Sequence, residues 1–189
     1  MDKDQIKSYL EEGAKLRQMV NAEEIYEISL EVADRLINKG GTLIIFGNGG
    51  SAADAQHIAE EFSCYCDRRG RRPLAAVALT ASTPAITAIA NDFSFEEVFS
   101  RQVRGLAKEN DVVIGISTSG KAVNVLKGIE EANKLGCFTI VLTGKTAGKL
   151  RGNADRIIRV ESASTPIIQE IHMAIGHLMS KIVEDLIDT

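Results

Sequence analysis

A histidine and a glutamate four positions apart, His57 and Glu61, are the residues of this sequence best suited to chemistry. If the segment is a helix, this spacing places an imidazole and a carboxylate on one helical face. Such a pair can ligate a metal ion or transfer protons. The other two histidines, His172 and His177, share a second apolar segment near the end of the chain. A histidine on an apolar helix is usually a core residue, so both interpretations stay open.

A glycine-rich turn comes directly before the first of these helices. The apolar run 42–46 predicts a buried strand. Three glycines follow it and leave room for a ligand to approach the backbone: Gly47, Gly49 and Gly50. Ser51 stands at the position expected for the helix N-cap, so that free N–H groups would point into the turn and favour an anion.

A second loop of small residues, 115–120, follows another apolar run and precedes another predicted helix. Its sequence GISTSG offers the hydroxyl groups of Ser117, Thr118 and Ser119 beside a helix start, which together suit a phosphate. It has neither the GK[ST] of a Walker sequence nor the GxGxxG dinucleotide fingerprint. A serine-rich turn with an N-cap is the purely structural interpretation. If both loops end parallel strands, they open on the same edge of a sheet.

The chain around these loops alternates between short apolar runs and amphipathic segments. Strands are predicted at 42–46, 74–79, 111–116, 137–142 and 156–160. Helices are predicted at 2–20, 21–40, 51–66, 83–90, 95–108, 121–135 and 165–187. This alternation predicts an α/β fold with a doubly wound, five-stranded parallel sheet and helices on both faces.

No repeat or linker interrupts the pattern, so 1–189 is expected to be a single domain. Two N-terminal helices and a long C-terminal helix flank the alternating part. The helices of the segment 1–40 are not needed to cover a sheet. They could pack against another subunit of an oligomer or form a helical hairpin on the domain.

Composition argues against several classes of protein. The net charge of −4 disfavours nucleic acid as the main partner. No apolar stretch has the pattern of a signal peptide or the length of a membrane span, so no membrane partner and a cytoplasmic location are expected. The basic cluster 68–72 is expected to be a solvated loop, with a phosphate contact as the alternative. Buried or half-buried free thiols, rather than disulfides or a zinc knuckle, are expected for Cys64, Cys66 and Cys137.

Five separated motifs carry a family resemblance: FGNGGSAADAQHIAEE, AIANDFSFEEVFSRQV, GISTSG, VLTGK and PIIQEIHMAIGH. In this order and spacing they resemble the phosphoheptose isomerases, which have a sugar-isomerase (SIS) domain. The resemblance extends from about position 21 to 187. It implies a flavodoxin-like sheet and a homotetramer with active sites where subunits meet. It also implies conversion of sedoheptulose 7-phosphate to D-glycero-D-manno-heptose 7-phosphate, for nucleotide-activated heptose biosynthesis.

The resemblance further implies roles for individual residues. It implies one zinc ion per subunit, with four ligands: His57, Glu61, Gln169 and His177. Glu61 and His177 also match the family's acid/base pair. The residues implied at the substrate are Asn48, Gly49, Gly50, Ser51, Glu61, Asp92, Ser117, Thr118, Ser119 and Gln169. Because isomerisation through an enediol needs a base at carbon and an acid at oxygen, we expect Glu61 to take the carbon-bound proton and His177 to move protons at oxygen.

Helix geometry restricts how two of these zinc ligands can act. Gln169 and His177 are eight residues apart, which is about 12 Å along a helix axis. Zinc ligands lie only about 2 Å from the ion. We therefore predict that Gln169 and His177 reach a given ion from different subunits, or that one of them contacts it only indirectly.

Two positions depart from the family pattern. Lys121-Ala122 replaces the usual Asn-Ser, which removes one hydroxyl group at the phosphate and adds a positive charge. Cys64-Tyr65 replaces Gly-Arg, and an arginine of the cluster 68–72 is a candidate substitute. Both changes bear on the choice of substrate and leave the type of reaction intact.

The main alternative is a non-catalytic SIS-domain regulator of replication initiation. That relative resembles this chain in both loops but lacks the helical carboxylate and the last histidine, which Glu61 and His177 supply here. A SIS protein for amino-sugar phosphates is disfavoured by the motifs HxxxE and QExHxxxxH. A dinucleotide-dependent oxidoreductase is disfavoured because the glycine fingerprint and its acidic partner are missing.

Overall fold

Five parallel strands form one sheet in the structure, a computed structural model that describes residues 1–187. The strands are β1 (Leu43–Gly47), β2 (Ala76–Ala78), β3 (Val112–Ser117), β4 (Phe138–Thr143) and β5 (Arg156–Arg159). They lie in the order β2-β1-β3-β4-β5, and all neighbouring pairs are parallel. This is the order of flavodoxin-like sheets, so the predicted fold class is confirmed.

The helices of the described residues are α1 (Lys3–Gln18), α2 (Ala22–Ala33), α3 (Gly50–Ser63), α4 (Thr83–Asp92), α5 (Ser100–Leu106), α6 (Val123–Lys134) and α7 (Thr165–Asp185). A π-helical turn, Asp34–Asn38, extends α2. Short 3₁₀ turns lie at Phe95–Glu97 and Gly148–Leu150. Within residues 1–187, no helix is both long and apolar enough to cross a membrane.

The sheet is covered on both faces because its central strands are apolar at successive positions. Along β1, Leu43 and Ile45 belong to one buried cluster, and Ile44 and Phe46 belong to another. The first cluster also contains side chains of α2, α3 and α7, and the second contains side chains of α5 and α6. Central strands of doubly wound sheets have this pattern. It places α3 and α7 on the same side of the sheet.

The prediction of a single helix at 95–108 is wrong. A 3₁₀ turn occupies Phe95–Glu97, and α5 begins only at Ser100. The buried hydroxyl of Ser100 donates to the Glu97 carboxylate at 2.9 Å. A local side-chain hydrogen bond of this kind competes with regular helix, and it holds the chain in two separate pieces.

Two other elements are shorter than predicted. The strand predicted at 74–79 pairs with β1 only over Ala76–Ala78. The helix predicted at 51–66 ends at Ser63. This end has a side-chain cause, because the guanidinium group of Arg71 donates to carbonyl groups of the last turn of α3.

The two N-terminal helices differ in their burial. Helix α2 places Ile25, Ile28 and Val32 in the first cluster, so it packs on the domain as one of the two predicted arrangements requires. Helix α1 has no buried residue. Its contact with α7 includes a 2.6 Å hydrogen bond from the Tyr9 hydroxyl to the Glu170 carboxylate. Large apolar side chains of α1 and its C-cap are exposed: Ile6, Leu10 and Met19.

Candidate active site

Helices α3 and α7 bring together His57, Glu61 and His177. One nitrogen of each imidazole and one carboxylate oxygen all lie within 4.8 Å of one another. The Nδ1 atom of His177 is 2.5 Å from Glu61 Oε1, and the Nε2 atom of His57 is 3.6 Å from the same oxygen. Glu61 is 6% exposed, whereas the side chains of His57 and His177 are 54% and 41% exposed. The carboxylate therefore forms the floor of the group, and the imidazoles form its rim.

A glycine on α7 permits this approach of the two helices. A Cβ atom at Gly176 would lie 2.6 Å from Cγ1 of Ile58 on α3, far inside van der Waals contact. Only a residue without a side chain lets the helices come this close. Because Gly176 directly precedes His177 and Ile58 directly follows His57, the same contact sets the distance between the two imidazoles.

The donor set of this group fits a zinc ion. Two imidazoles and one carboxylate are typical ligands of zinc sites that keep an open position. Within residues 1–187, the second carboxylate oxygen of Glu61, Oε2, is buried without a hydrogen-bond partner. A buried unpaired carboxylate oxygen is costly unless another group, such as a cation, satisfies it.

The fourth predicted ligand, Gln169, lies elsewhere in its own chain. Helix α7 is unbroken from Thr165 to Asp185, so Gln169 is two turns away from His177, as the helix argument assumed. The Gln169 amide contacts the hydroxyl of Ser51 at 3.5 Å. Gly50 makes room for it, because a Cβ atom there would collide with the Gln169 amide.

The two predicted loops meet at a cavity of about 250 Å³ beyond the carboxyl ends of β1 and β3. The chain leaves these neighbouring strands toward opposite faces of the sheet, so the cavity lies at the topological switch point. Seven residues predicted at the substrate line it: Asn48, Gly50, Ser51, Ser117, Thr118, Ser119 and Gln169. Neutral donors at helix starts are well suited to hold a phosphate.

The glycine turn is built differently from the prediction. Gly49, with φ of 57°, is the N-cap of α3, and Ser51 lies inside the first turn. The Ser51 N–H donates to the carbonyl of Asn48 at 3.1 Å, so it is not free for an anion. The predicted N-cap role of Ser51 is therefore wrong, whereas its hydroxyl does line the cavity.

Asn124 is a residue of this region that the sequence did not indicate. Its side-chain amide exchanges two hydrogen bonds with that of Asn48, at 2.9 and 2.8 Å. The pair ties the loop after β1 to the first turn of α6, across 76 positions of sequence. Such a distant pairing has no local sequence signal.

Asp92 is not brought to the cavity of its own chain. It is exposed at the end of α4, where its carboxylate accepts a hydrogen bond from Asn91. His172, the remaining histidine, is a core residue. It is fully buried, and its Nε2–H donates to the carbonyl of Thr143 at 3.2 Å. Burial lowers the pKa of His172 to about 4, so its imidazole is neutral at pH 7.

The acidic residue Asp54 lies on α3 one turn before His57. Within residues 1–187, its buried Oδ2 atom has no hydrogen-bond partner. Burial raises the pKa of Asp54 to about 6, although the charge of His57 opposes the shift. This environment could not be predicted from the sequence, because an acidic residue one turn before a histidine is common on exposed helices.

The basic cluster 68–72 is not simply a solvated loop. The side chains of Arg71 and Glu184 are 1% and 2% exposed and form an ion pair at 3.0 Å. The Arg71 guanidinium also donates to the carbonyl groups of Glu61 and Phe62. The pair therefore joins the end of α3 to the end of α7 and holds the backbone of Glu61 directly.

The fold and the site together define a class of protein. A model of the SIS domain matches residues 8–144. The flavodoxin-like sheet agrees with that class, and so does the cavity beyond β1 and β3, which we call the phosphate-type cavity because its hydroxyl groups suit a phosphate. The probable phosphoheptose isomerase of Thermoplasma acidophilum is 50% identical over 95% of this chain and 97% of its own length. The phosphoheptose isomerase of Nitratiruptor sp. is 49% identical over 85% of both chains.

Solved structures agree with these relatives. A phosphoheptose isomerase from Neisseria gonorrhoeae is 35% identical, with a TM-score of 0.89 over 97% of this chain and 99% of its own. Another, from Francisella tularensis, is 31% identical, with a TM-score of 0.90 over 98% and 100% of the two chains. This chain belongs to the phosphoheptose isomerase family, and it is a sugar-phosphate isomerase.

Proposed function

We propose that this protein converts sedoheptulose 7-phosphate to D-glycero-D-manno-heptose 7-phosphate, which feeds nucleotide-activated heptose biosynthesis. The observation that carries the proposal is the contact between Glu61 and His177 on the two helices that also border the phosphate-type cavity. A buried carboxylate paired with an imidazole can supply the general base and the general acid that an enediol reaction needs.

The spacing along α3 supports a substrate of this length. Ser51 and Glu61 are ten residues apart, about 15 Å along the helix. An extended heptose 7-phosphate measures about 10 Å from phosphorus to C1, at about 1.2 Å per bond. With a contact of about 3 Å at each end, the total of about 16 Å is close to the rise along the helix between the two residues. A three-carbon sugar phosphate is too short to reach both.

Glu61 acts as the base at carbon in this proposal. Its carboxylate removes a proton from C1 of the ketose, and the electron pair forms the C1–C2 double bond of the enediol. His177 gives a proton to the oxygen on C2 and then takes one from the oxygen on C1. Glu61 returns its proton to C2, so that the aldose forms with no net gain or loss of protons.

A zinc ion, one per subunit, is proposed at His57, Glu61 and His177, with Gln169 from a neighbouring subunit or in indirect contact. When bound, zinc would polarise the oxygens of the substrate or order the site. The unpaired Oε2 atom of Glu61 supports this assignment. In this proposal His57 serves only as a zinc ligand and takes no part in proton transfer.

A homotetramer with sites at subunit interfaces is part of the proposal. The exposed apolar side chains of Ile6 and Leu10, four positions apart and so on one face of α1, support it, because neighbouring exposed apolar residues are typical of a contact surface. Such an enzyme would work in the cytoplasm, where charged sugar phosphates are retained. The sugar phosphate is then its partner, and nucleic acid and membrane have no part in the reaction.

The test is direct. Protein stripped of metal and then supplied with zinc is incubated with sedoheptulose 7-phosphate, and aldoheptose phosphate is measured by NMR. We expect product from the parent chain and from Glu60→Gln, which changes an exposed neighbour on the same helix. Glu61→Gln should lose about a hundredfold or more in kcat. Near-normal turnover of Glu61→Gln would refute its role as base, and no product from the parent chain would favour the non-catalytic regulator of replication initiation.

A further inference from the structure

A line of cavities leads away from the phosphate-type cavity toward the edge strand β5. The first cavity shares Thr118, Ser119 and Thr165 with a second one of about 230 Å³. The second shares Lys145 and Thr146 with a third one of about 540 Å³. The third is within the size range of ligand sites. We call the second and third cavities together the basic trough.

The basic trough is lined by cations that have few partners. They are Lys121, Lys145, Arg151 and Arg159. Among residues 1–187, no carboxylate lies within 4.0 Å of the first three, and only Glu161 reaches Arg159, at 4.0 Å. The protein as a whole carries a net charge of −4. Four nearly unpaired cations around one depression are therefore a local reversal of the charge of the chain.

Backbone contacts fix the trough against the loop 117–120. The N–H of Gly144 donates to the carbonyl of Thr118, and the N–H of Lys149 donates to the carbonyl of Gly120, both at 3.1 Å. Gly148 lies so close that a Cβ atom there would be 2.5 Å from the Gly120 oxygen. The trough and the phosphate-type cavity are thus parts of one built surface, and their spacing does not depend on mobile side chains alone.

We propose that the basic trough binds a second phosphate group, so that anions with a diphosphate unit occupy the cavity and the trough together. The inference rests on the phosphate role proposed for the cavity. One phosphate would lie on the hydroxyl groups of Thr118 and Ser119, and the next would lie against Lys145. Lys145 lines the third cavity together with Arg151 and Arg159. The planar fork of donors of an arginine suits this second phosphate. Nucleoside diphosphates and nucleotide-linked sugars carry this unit, and they would compete with the sugar phosphate.

Metal-free protein gives a test that does not depend on catalysis. Orthophosphate and pyrophosphate are titrated into it, and binding is followed by calorimetry. We expect pyrophosphate to bind at least tenfold more tightly than orthophosphate. Arg151→Ala and Arg159→Ala should each reduce that preference severalfold and leave orthophosphate binding unchanged. Lys149→Ala removes a cation from the same turn but outside the trough, so it should keep the full preference.

Equal affinity for the two anions would overturn the proposal. The same holds if Lys149→Ala weakens pyrophosphate as much as the two arginine variants do, because the effect would then reflect net charge alone. Failure of the isomerase proposal would be seen in a different experiment. The protein would then produce no aldoheptose phosphate but would still bind pyrophosphate more tightly than orthophosphate. Circular dichroism of each variant shows whether it is folded.

Discussion

Replacing Arg71 by alanine would leave Glu184 as a buried carboxylate without its cation. Both side chains are almost fully excluded from solvent. Truncating one member of a buried ion pair costs about 3–5 kcal/mol, because the other charge stays desolvated. Alanine also abandons the carbonyl groups of Glu61 and Phe62 that Arg71 satisfies. For a chain of 189 residues, a loss of this size corresponds to a fall in Tm of roughly 6–20 °C.

A matched ion pair in the same protein is the control. Arg104 and Glu131 are closer together, at 2.6 Å, but the Arg104 side chain is 59% exposed. Solvent screens the exposed Arg104 end of this pair, and Lys134 would still lie 3.3 Å from the Glu131 carboxylate, so the loss of Arg104 costs less than the loss of Arg71. Arg104→Ala should therefore lower Tm much less than Arg71→Ala, as measured by calorimetry. If the two variants lose the same stability, burial is not what gives the Arg71–Glu184 pair its effect, and the reasoning is refuted.

The pH dependence of this loss has a definite sign. Burial would raise the pKa of Glu184, but the N–H groups of Asp67 and Arg68 and the Arg71 guanidinium together hold it below its usual value. A depressed carboxylate pKa stabilises the fold above the unfolded value of about 4.3, and this is lost as pH falls through the folded pKa. Because the Arg71 guanidinium is one of the groups that lower this pKa, the pKa of Glu184 should be higher in the variant than in the parent. The stability difference between parent and variant should therefore shrink as the solution is acidified.

Two further variants test the packing of the site and the buried histidine. Gly176→Ala should push α3 from α7 against Ile58, at a cost of about 1–3 kcal/mol and with weaker zinc binding; Gly105→Ala, in a helix with open space around it, should be neutral or slightly stabilising in the same melting and zinc titrations. His172, whose pKa burial lowers to about 4, binds its proton more weakly in the folded state than in the unfolded state. Its contribution to the free energy of unfolding should thus decrease by roughly 3 kcal/mol as pH falls from about 6.5 to 4. In denaturant titrations at several pH values, His172→Gln should lack this part of the pH dependence of stability.

The sheet could be predicted because its strands carry their own signal. Buried parallel strands are continuous apolar runs, and the loops after β1 and β3 are rich in small residues, so a doubly wound parallel sheet with a site at the ends of its strands follows from general rules. The flavodoxin-like strand order was indicated by the family resemblance. The helix at 95–108 was predicted wrongly because that prediction also relied on apolar spacing alone. Phe95, Val98 and Phe99 keep helical spacing, and the bond between Ser100 and Glu97 that divides the segment does not show in apolar periodicity.

The site could be predicted only in part, because its contacts join distant positions. His57 and Glu61 are visible as a helical pair, but the partner His177 lies 116 positions from Glu61, and it was indicated by the family resemblance. Arg71 and Glu184 are 113 positions apart, and an arginine within a basic cluster is normally exposed. Backbone geometry is equally hidden, since the positive φ of Gly49 decides where α3 begins.

Gln169 offers the sharpest test of how subunits share the metal. In its own chain it contacts Ser51, two turns of α7 away from His177. If Gln169 nevertheless completes a zinc site, it must do so in a neighbouring subunit. Gln169→Ala and His57→Ala should each lose zinc and activity as pure proteins.

Hybrid oligomers of these two inactive variants separate the alternatives. A site that takes His57 from one subunit and Gln169 from another is intact when the Gln169→Ala subunit supplies His57 and the His57→Ala subunit supplies Gln169. Random assembly of equal amounts makes about a quarter of the sites complete. Unfolding and refolding the mixture should therefore restore roughly that fraction of zinc content and activity, whereas separately refolded proteins that are mixed afterwards should regain none. If the hybrids stay inactive and zinc-free, the four ligands do not come from two subunits, and Gln169 acts on the metal indirectly or through the phosphate.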